Sequence, residues 1–188
     1  MNRRQFIYGT TAVAVPVLVG CDNNDEPIVS IDENYPVGPF GATSTAEEVT
    51  IGLDLTGKTA MITGCNSGLG FETMRVLAMR GAHVIGTGRN LEKASKACSS
   101  VPGKTTPVAL ELSDFDSIME CSDKVMKMGY SIDILVCNAG INTFDELDLV
   151  NGVERIFAVN HLGHFVLVNR LMPLLKKSKE SRIVHVSS

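Results

Sequence analysis

The chain has no tryptophan, and only 5% of its residues are aromatic, which by itself decides little. Other absences decide more. The charge balance is acidic, with a formal net charge of -4 and no extended basic run. Phosphate neutralisation needs clustered Lys and Arg, so nucleic acid is excluded as a partner. The five cysteines include no CxxC pair and no Cys/His ligand spacing, so no metal site is expected. The charge-free apolar stretch from Tyr8 to Val19 is shorter than the ~20 residues that span a bilayer. No internal repeat is visible. What remains is 188 residues, 44% of them hydrophobic. That suffices for one domain with a sizeable core.

The N-terminus reads as a separate object. Arg3-Arg4-Gln5-Phe6-Ile7 is a twin-arginine pattern ahead of the apolar stretch, which suits a signal segment over residues 1–20. Leu18-Val19-Gly20-Cys21 resembles the lipobox of bacterial lipoproteins, in which the cysteine is acylated and becomes the first residue. The expectation is export by the twin-arginine route and a membrane anchor through lipid on Cys21, facing the periplasm or cell exterior. The alternative is a cytoplasmic protein with an apolar leader. More than one acyl chain makes such an anchor stable. Removing residues 1–20 leaves 15 basic against 21 acidic residues, a net charge of -6. Residues 21–49 read as a flexible tether, polar around Asp22-Asn23-Asn24-Asp25-Glu26-Pro27 and turn-rich at Pro36-Val37-Gly38-Pro39. Phe40 to Val49 could pack as an arm.

From Lys58 a strand–helix alternation sets in. The pattern predicts strands over 59–63, 82–87, 107–112, 132–137 and 183–186. It predicts a helix that opens at the glycine-rich turn, carries Met74, Leu77 and Ala78 on one face and stops at Gly81, and helices over 91–99, over 113–128 with Ser113 as N-cap, and over 152–175. Ile132 to Cys137 is apolar nearly throughout, as a strand covered on both faces should be. Alternation at this pitch implies right-handed crossovers and an α/β fold: a doubly wound parallel sheet of Rossmann type, incomplete, with about five strands, over residues 50–188. Cys65, Cys98, Cys121 and Cys137 read as small buried hydrophobes. Cys98 and Cys121 would sit on opposite sheet faces, so no disulfide between them is expected.

Gly64, Gly68 and Gly70 are spaced GxxxGxG after the first strand and at the opening of a helix. Glycine there allows left-handed dihedrals and close backbone approach. A helix N-terminus presents free N–H groups and a partial positive charge to a diphosphate. On the long helix, Asn160 falls in register with Ile156, Gly163, Leu167, Leu171 and Leu174. An amide on that stripe should be buried and hydrogen-bonded. His161 and His164, with no third ligand nearby, read as helix-face residues rather than metal ligands.

These segments together resemble the short-chain dehydrogenase/reductase family. Thr63-Gly64-Cys65-Asn66-Ser67-Gly68-Leu69-Gly70 resembles its TGxxxGxG motif, and Asn138-Ala139-Gly140 its NAG motif. Val159-Asn160-His161-Leu162-Gly163-His164-Phe165 is similar to the branch of retinol dehydrogenases and the WW-domain-containing oxidoreductase. The resemblance covers about Leu53 to Ser188. It implies a nicotinamide dinucleotide held by Gly64, Asn66, Ser67, Gly68, Leu69, Gly70, Asn138, Ala139 and Gly140. An acid at the end of the second strand would hold a ribose 2′-OH, whereas a 2′-phosphate needs a cation. Gly88 removes the acid and Arg89 supplies the cation, which favours NADP(H), with NAD(H) as the alternative. Glu111-Leu112 stands where relatives carry Asp-Leu or Asp-Val against the adenine.

The resemblance further implies an oxidoreductase that moves hydride between NADP(H) and a small-molecule alcohol or carbonyl. Ser188 would bind the substrate oxygen, and Asn160 would hold water in a proton relay. The alternative for Asn160 is a structural amide bonding a neighbouring backbone. The family's Tyr-x-x-x-Lys pair would lie beyond Ser188, and none of Tyr8, Tyr35 or Tyr130 precedes a Lys at that spacing. The expectation is therefore an incomplete chain, inactive alone, with an unpaired sheet edge. The alternative function is a dinucleotide-binding module without catalysis. An epimerase or dehydratase of the extended branch is disfavoured by the GxxxGxG spacing. Pairing of relatives through the long helix makes a homo-oligomer a further expectation.

Overall fold

The structure, a computed structural model, describes residues 38–142 and 147–187. The signal segment, Cys21, most of the tether and Ser188 lie outside the described residues. The described residues from Phe40 onward form one compact unit.

Five parallel strands make the central sheet: β1 (Thr59–Ile62), β2 (His83–Gly88), β3 (Thr105–Ala109), β4 (Ile134–Cys137) and, last in the chain, β7 (Arg182–His185). Their spatial order is β3-β2-β1-β4-β7. The order reverses between β1 and β4, as in a doubly wound sheet. Helices α2 (Gly68–Met79), α3 (Leu91–Ser99) and α4 (Phe115–Lys127) are the first crossovers. A short antiparallel hairpin, β5 (Leu149–Val150) and β6 (Val153–Glu154), leads into one helical rod. The rod comprises α5 (Arg155–Phe157), a π turn over Ala158–Gly163, and α6 (His164–Leu175).

Alternation along the strands divides the core. Ala60 and Ile62 point into a cluster with Met74, Ala78, Ala97 and Cys98, whereas Met61 joins Ile118, Cys121, Leu167 and Leu171 on the other face. Every residue of β1 and β2 is buried, including the polar Thr59, His83 and Thr87, as in strands covered on both faces. Cys65, Cys98, Cys121 and Cys137 are free and buried, with Cys98 and Cys121 in separate clusters. The β7 strand lies at the sheet edge with all four residues exposed.

Part of the expected tether is docked. Helix α1 (Ala46–Val49) starts in a capping box between Thr45 and Glu48. Glu47 pairs with Arg75 of α2 at 2.6 Å, and its carbonyl accepts from Arg80 at 2.9 Å.

Three expected boundaries need correction. Strand β3 runs over Thr105–Ala109, earlier than the apolar run at 107–112. The cap of α4 is Asp114, whose carboxylate accepts from the Asp116 N–H. Ser113 does not cap, because its hydroxyl is spent on Glu111 at 2.8 Å. The rod starts at Arg155 rather than Gly152, because Asn151 (φ 51°) and Gly152 (φ 80°) form the left-handed turn of the β5–β6 hairpin.

Candidate functional site

A cavity of about 330 Å³ opens beyond the C-terminal ends of β1, β2 and β4, where the strand order reverses. That is the ligand position of open α/β sheets, and the volume is within the range of small-molecule sites. Nine of the residues expected to hold a dinucleotide line it, Gly64, Asn66, Ser67, Arg89, Glu111, Leu112, Asn138, Ala139 and Gly140, as does Gly88.

The turn after β1 is built on close approach. Gly64 has φ +72°, and a Cβ there would lie 3.0 Å from both Cα and Cβ of Ala139. Gly68 opens α2 with φ +59° and open space where its side chain would be. Gly70 does not line the cavity but lies beneath it, buried in the first turn of α2. A Cβ on it would fall 2.2 Å from the Gly64 carbonyl oxygen and 2.4 Å from Asn138 Nδ2. Leu69, by contrast, is exposed. Ser67 occupies the N-cap of α2 without a side-chain hydrogen bond, and the first turn carries no acid. The leading N–H groups are therefore free for an anion.

The loop after β4 is tied to this turn through one hydroxyl. Thr63 Oγ1, fully buried, accepts the N–H of Asn138 and the N–H of Ala139, each at 2.9 Å. Asn138 Nδ2 donates back to the Thr63 carbonyl at 3.0 Å. The same hydroxyl lies 2.9 Å from Nε2 of His164, which is 3% exposed and was read from the sequence only as a helix-face residue. His164 Nδ1 lies 3.3 Å from the Asn160 carbonyl oxygen. Burial pushes the His164 imidazole below its usual pKa; the Asn160 carbonyl opposes this and His185 adds to it.

Asn160 is exposed, not buried as the helical register predicts. The π turn is the reason. It inserts one residue, so the buried positions run Ala158 and Val159, then Gly163 and His164, then Leu167 and Leu171. Asn160 is rotated off that stripe. Its side chain is used locally: Oδ1 accepts the Ile141 N–H at 2.8 Å, and Nδ2 donates to the Ile141 carbonyl at 2.9 Å. That is the backbone-bonding role kept as the alternative for this amide.

At the far end of the cavity, Arg89 follows β2. A Cβ on Gly88 would meet Ala94 no closer than 3.5 Å, an ordinary contact, so packing does not require a glycine there. Glu111 Oε1 accepts from the N–H and hydroxyl of Ser113 at 3.0 and 2.8 Å, which fixes its carboxylate at the wall. Thr87, Leu110, Ser113, Ile141, Arg155 and Val159 also line the cavity, and nothing in the sequence marked them for that place. Arg155 pairs with Asp148. Its signal in the sequence is weak, because the hairpin that precedes it is encoded only by Asn151-Gly152. No cluster of metal-ligating side chains occurs among the described residues.

Known proteins share this arrangement. The family model described as short chain dehydrogenase matches residues 58–188. The chain is 37% identical over 169 residues to the WW domain-containing oxidoreductase of Pongo abelii, covering 85% of this chain and 41% of that protein. It is 39% identical over 137 residues to retinol dehydrogenase 13 of Homo sapiens, covering 70% of this chain and 41% of that one. It thus spans about two fifths of the length of these relatives. Among solved structures, a metagenomic short-chain oxidoreductase in complex with NADP superposes with a TM-score of 0.64 at 28% identity. That match covers 71% of this chain and 63% of the other. A Pseudomonas aeruginosa RhlG/NADP active-site complex superposes with a TM-score of 0.61 at 26% identity, covering 70% and 53%.

Proposed function

The chain belongs to the short chain dehydrogenase family, and from that premise we propose that its cavity holds NADP(H) and serves hydride transfer with a small-molecule alcohol or carbonyl. The observation that carries the reading is the uncapped, acid-free start of α2 beside a cavity walled by Arg89. The residues fit the group. Gly64 and Gly70 leave no room for side chains, so the backbone of the turn can approach a diphosphate. Gly88 brings no carboxylate, and the Arg89 guanidinium offers a planar fork to a 2′-phosphate. Glu111 and Leu112, on the cavity wall, are the residues proposed to meet the adenine, and Asn138, Ala139 and Gly140 line the cavity beside the turn. When bound, the nicotinamide coenzyme supplies the hydride carrier. Ser188 is the residue proposed to hydrogen-bond the substrate oxygen.

Titration of the purified chain with NADPH and NADH, followed by coenzyme fluorescence, tests this. NADPH should bind more tightly, and Arg89→Asp should lower its affinity about tenfold or more, the scale of a lost charge-assisted contact, while sparing NADH. No affinity for either coenzyme overturns the reading. An unchanged preference in Arg89→Asp overturns the role of Arg89. Binding without turnover of any alcohol or carbonyl would favour the non-catalytic module.

We further propose that residues 1–20 direct export and that Cys21 carries lipid. Mass spectrometry of the protein from a bacterial membrane fraction should find an acylated Cys21. An unprocessed Met1 in the soluble fraction would refute this.

A further inference from the structure

We infer that His164 is a positioning residue for the coenzyme cavity, acting as a neutral imidazole that carries its proton on Nδ1 and holds the Thr63 hydroxyl in place. The consequence for coenzyme rests on the function proposed above; the clamp itself does not.

The hydrogen-bond bookkeeping at Thr63 dictates the tautomer. Its oxygen already accepts two backbone N–H groups, from Asn138 and Ala139. A hydroxyl has two acceptor lone pairs and one hydrogen. That hydrogen is left for His164, so Nε2 at 2.9 Å must be an acceptor. An imidazole with a bare Nε2 and no net charge bears its proton on Nδ1. There the Asn160 carbonyl, at 3.3 Å, receives it. Each group in the chain Asn160–His164–Thr63–Asn138/Ala139 then meets a complementary partner, and only this assignment does so. The opposite tautomer, or the imidazolium, would place two hydrogens between Thr63 and Nε2, or force the hydroxyl off an oxygen already filled.

Geometry gives the clamp its reach. Thr63 ends the buried run of β1 and leads directly into Gly64; Asn138 and Ala139 begin the loop on the facing wall of the cavity. Without the His164 acceptor the hydroxyl can rotate, and the two N–H groups lose a fixed target. The Gly64 backbone lies so close to Ala139 that a Cβ on Gly64 would stand 3.0 Å from it, so a small slip between these loops reshapes the wall. The register of α6 makes the contact, because His164 falls at i, i+3, i+7 with Leu167 and Leu171 on its buried face.

Two measurements on the full chain test this. First, ring ¹⁵N NMR of the unaltered protein at neutral pH should find His164 protonated on Nδ1 and bare at Nε2. A proton on Nε2 overturns the proposal, whatever the coenzyme does. Second, coenzyme titration of variants should show His164→Leu binding about fivefold or more weaker, the lower scale for a buried polar group left without its partner. His164→Gln, whose side-chain carbonyl can accept the same hydroxyl, should recover most of the loss. Thr63→Val, which also removes the acceptor of two N–H groups, should lose at least as much as His164→Leu, and the double variant should lose no more than Thr63→Val alone. Equal binding by His164→Leu, or additive losses in the double variant, overturns the clamp. If the unaltered chain binds no coenzyme, the functional reading fails and the tautomer still decides the clamp. If His164→Leu does not fold, His164→Gln and the ring spectrum decide it.

Discussion

Replacing Gly70 by alanine should damage this chain far more than a methyl group on a helix normally does. An alanine in a helix is ordinarily favourable over glycine by about 0.5–1 kcal/mol. Here the new Cβ would stand 2.2 Å from the Gly64 carbonyl oxygen and 2.4 Å from Asn138 Nδ2. The carbonyl belongs to a residue at φ +72°, bound into the turn, and cannot retreat freely. Asn138 can retreat only by giving up its bonds to the Thr63 carbonyl at 3.0 Å and the Gly64 carbonyl at 3.4 Å. Losing those bonds costs roughly 1 kcal/mol each, and overpacking adds about 1–3 kcal/mol. The expected destabilisation is therefore about 2–5 kcal/mol. Gly68→Ala serves as the control. It meets nothing within 4 Å but keeps φ +59°, so it should lose only the left-handed penalty of about 1–2 kcal/mol. Urea unfolding followed by circular dichroism gives both differences. A Gly70→Ala variant that unfolds within about 0.5 kcal/mol of the unaltered chain, the scale of a neutral surface change, would refute the packing argument.

Four further outcomes are expected. Gly163→Ala should destabilise by about 1–3 kcal/mol in the same urea assay, since its Cβ would meet the Leu112 carbonyl oxygen at 2.4 Å. Asp133→Ala should cost about 1–3 kcal/mol, because the Thr59 N–H at 2.9 Å and the Ser178 hydroxyl at 2.8 Å lose their acceptor; Asp133→Asn should lose less. Stability should fall on acidification below pH about 6.5, the ordinary histidine value. Burial holds His164 below that value, with His185 facing it from β7, and burial with Lys104 does the same to His83. The unfolded chain then binds more protons between the ordinary and lowered values, so stability is full above this window and declines as pH drops through it; His164→Gln should flatten the slope of the urea midpoint against pH. Cys65, Cys121 and Cys137, whose thiols burial pushes up to about 12, should resist Ellman's reagent in the native state and react on unfolding.

How much of this was legible in the sequence depended on whether the deciding interaction was local. Helix α3 begins and ends where the pattern places it, because Asn90 caps the Lys93 N–H within three residues. The glycine turn was readable because strand, turn and helix follow one another within twelve residues or so and each carries its own signature. Ser113 and Asp114 are both good caps on propensity alone. What separates them is the side chain of Glu111, which takes the serine hydroxyl and leaves the aspartate free for the helix. The Asn151-Gly152 hairpin was readable in principle, since that dipeptide favours the left-handed turn. Its strands are only two residues long, too short for any period to declare itself.

The π turn is the element whose effect reaches furthest and whose sequence signal is weakest. A strict 3.6-residue period places Asn160 in line with Gly163 and Leu167 and leaves Val159 on the flank. One inserted residue turns the amide outward to clasp Ile141 and Val159 inward, while His164 keeps the place at Thr63 that the register of α6 gives it. Gly163 explains why the rod accepts the wider turn. It lies against the Leu112 carbonyl so closely that no side chain fits, and this contact brings the rod to the sheet at that level. Continuing α6 backwards without the extra residue would carry Asn160, not Val159, toward the core, placing an amide among Leu110, Leu112 and Ile118. Burying an unpaired amide costs about 1–3 kcal/mol on protein scales. The irregular turn avoids that cost and adds the burial of Val159, so the change of register that hides a hydrophobic side chain also frees the amide to hold the loop after β4 through Ile141.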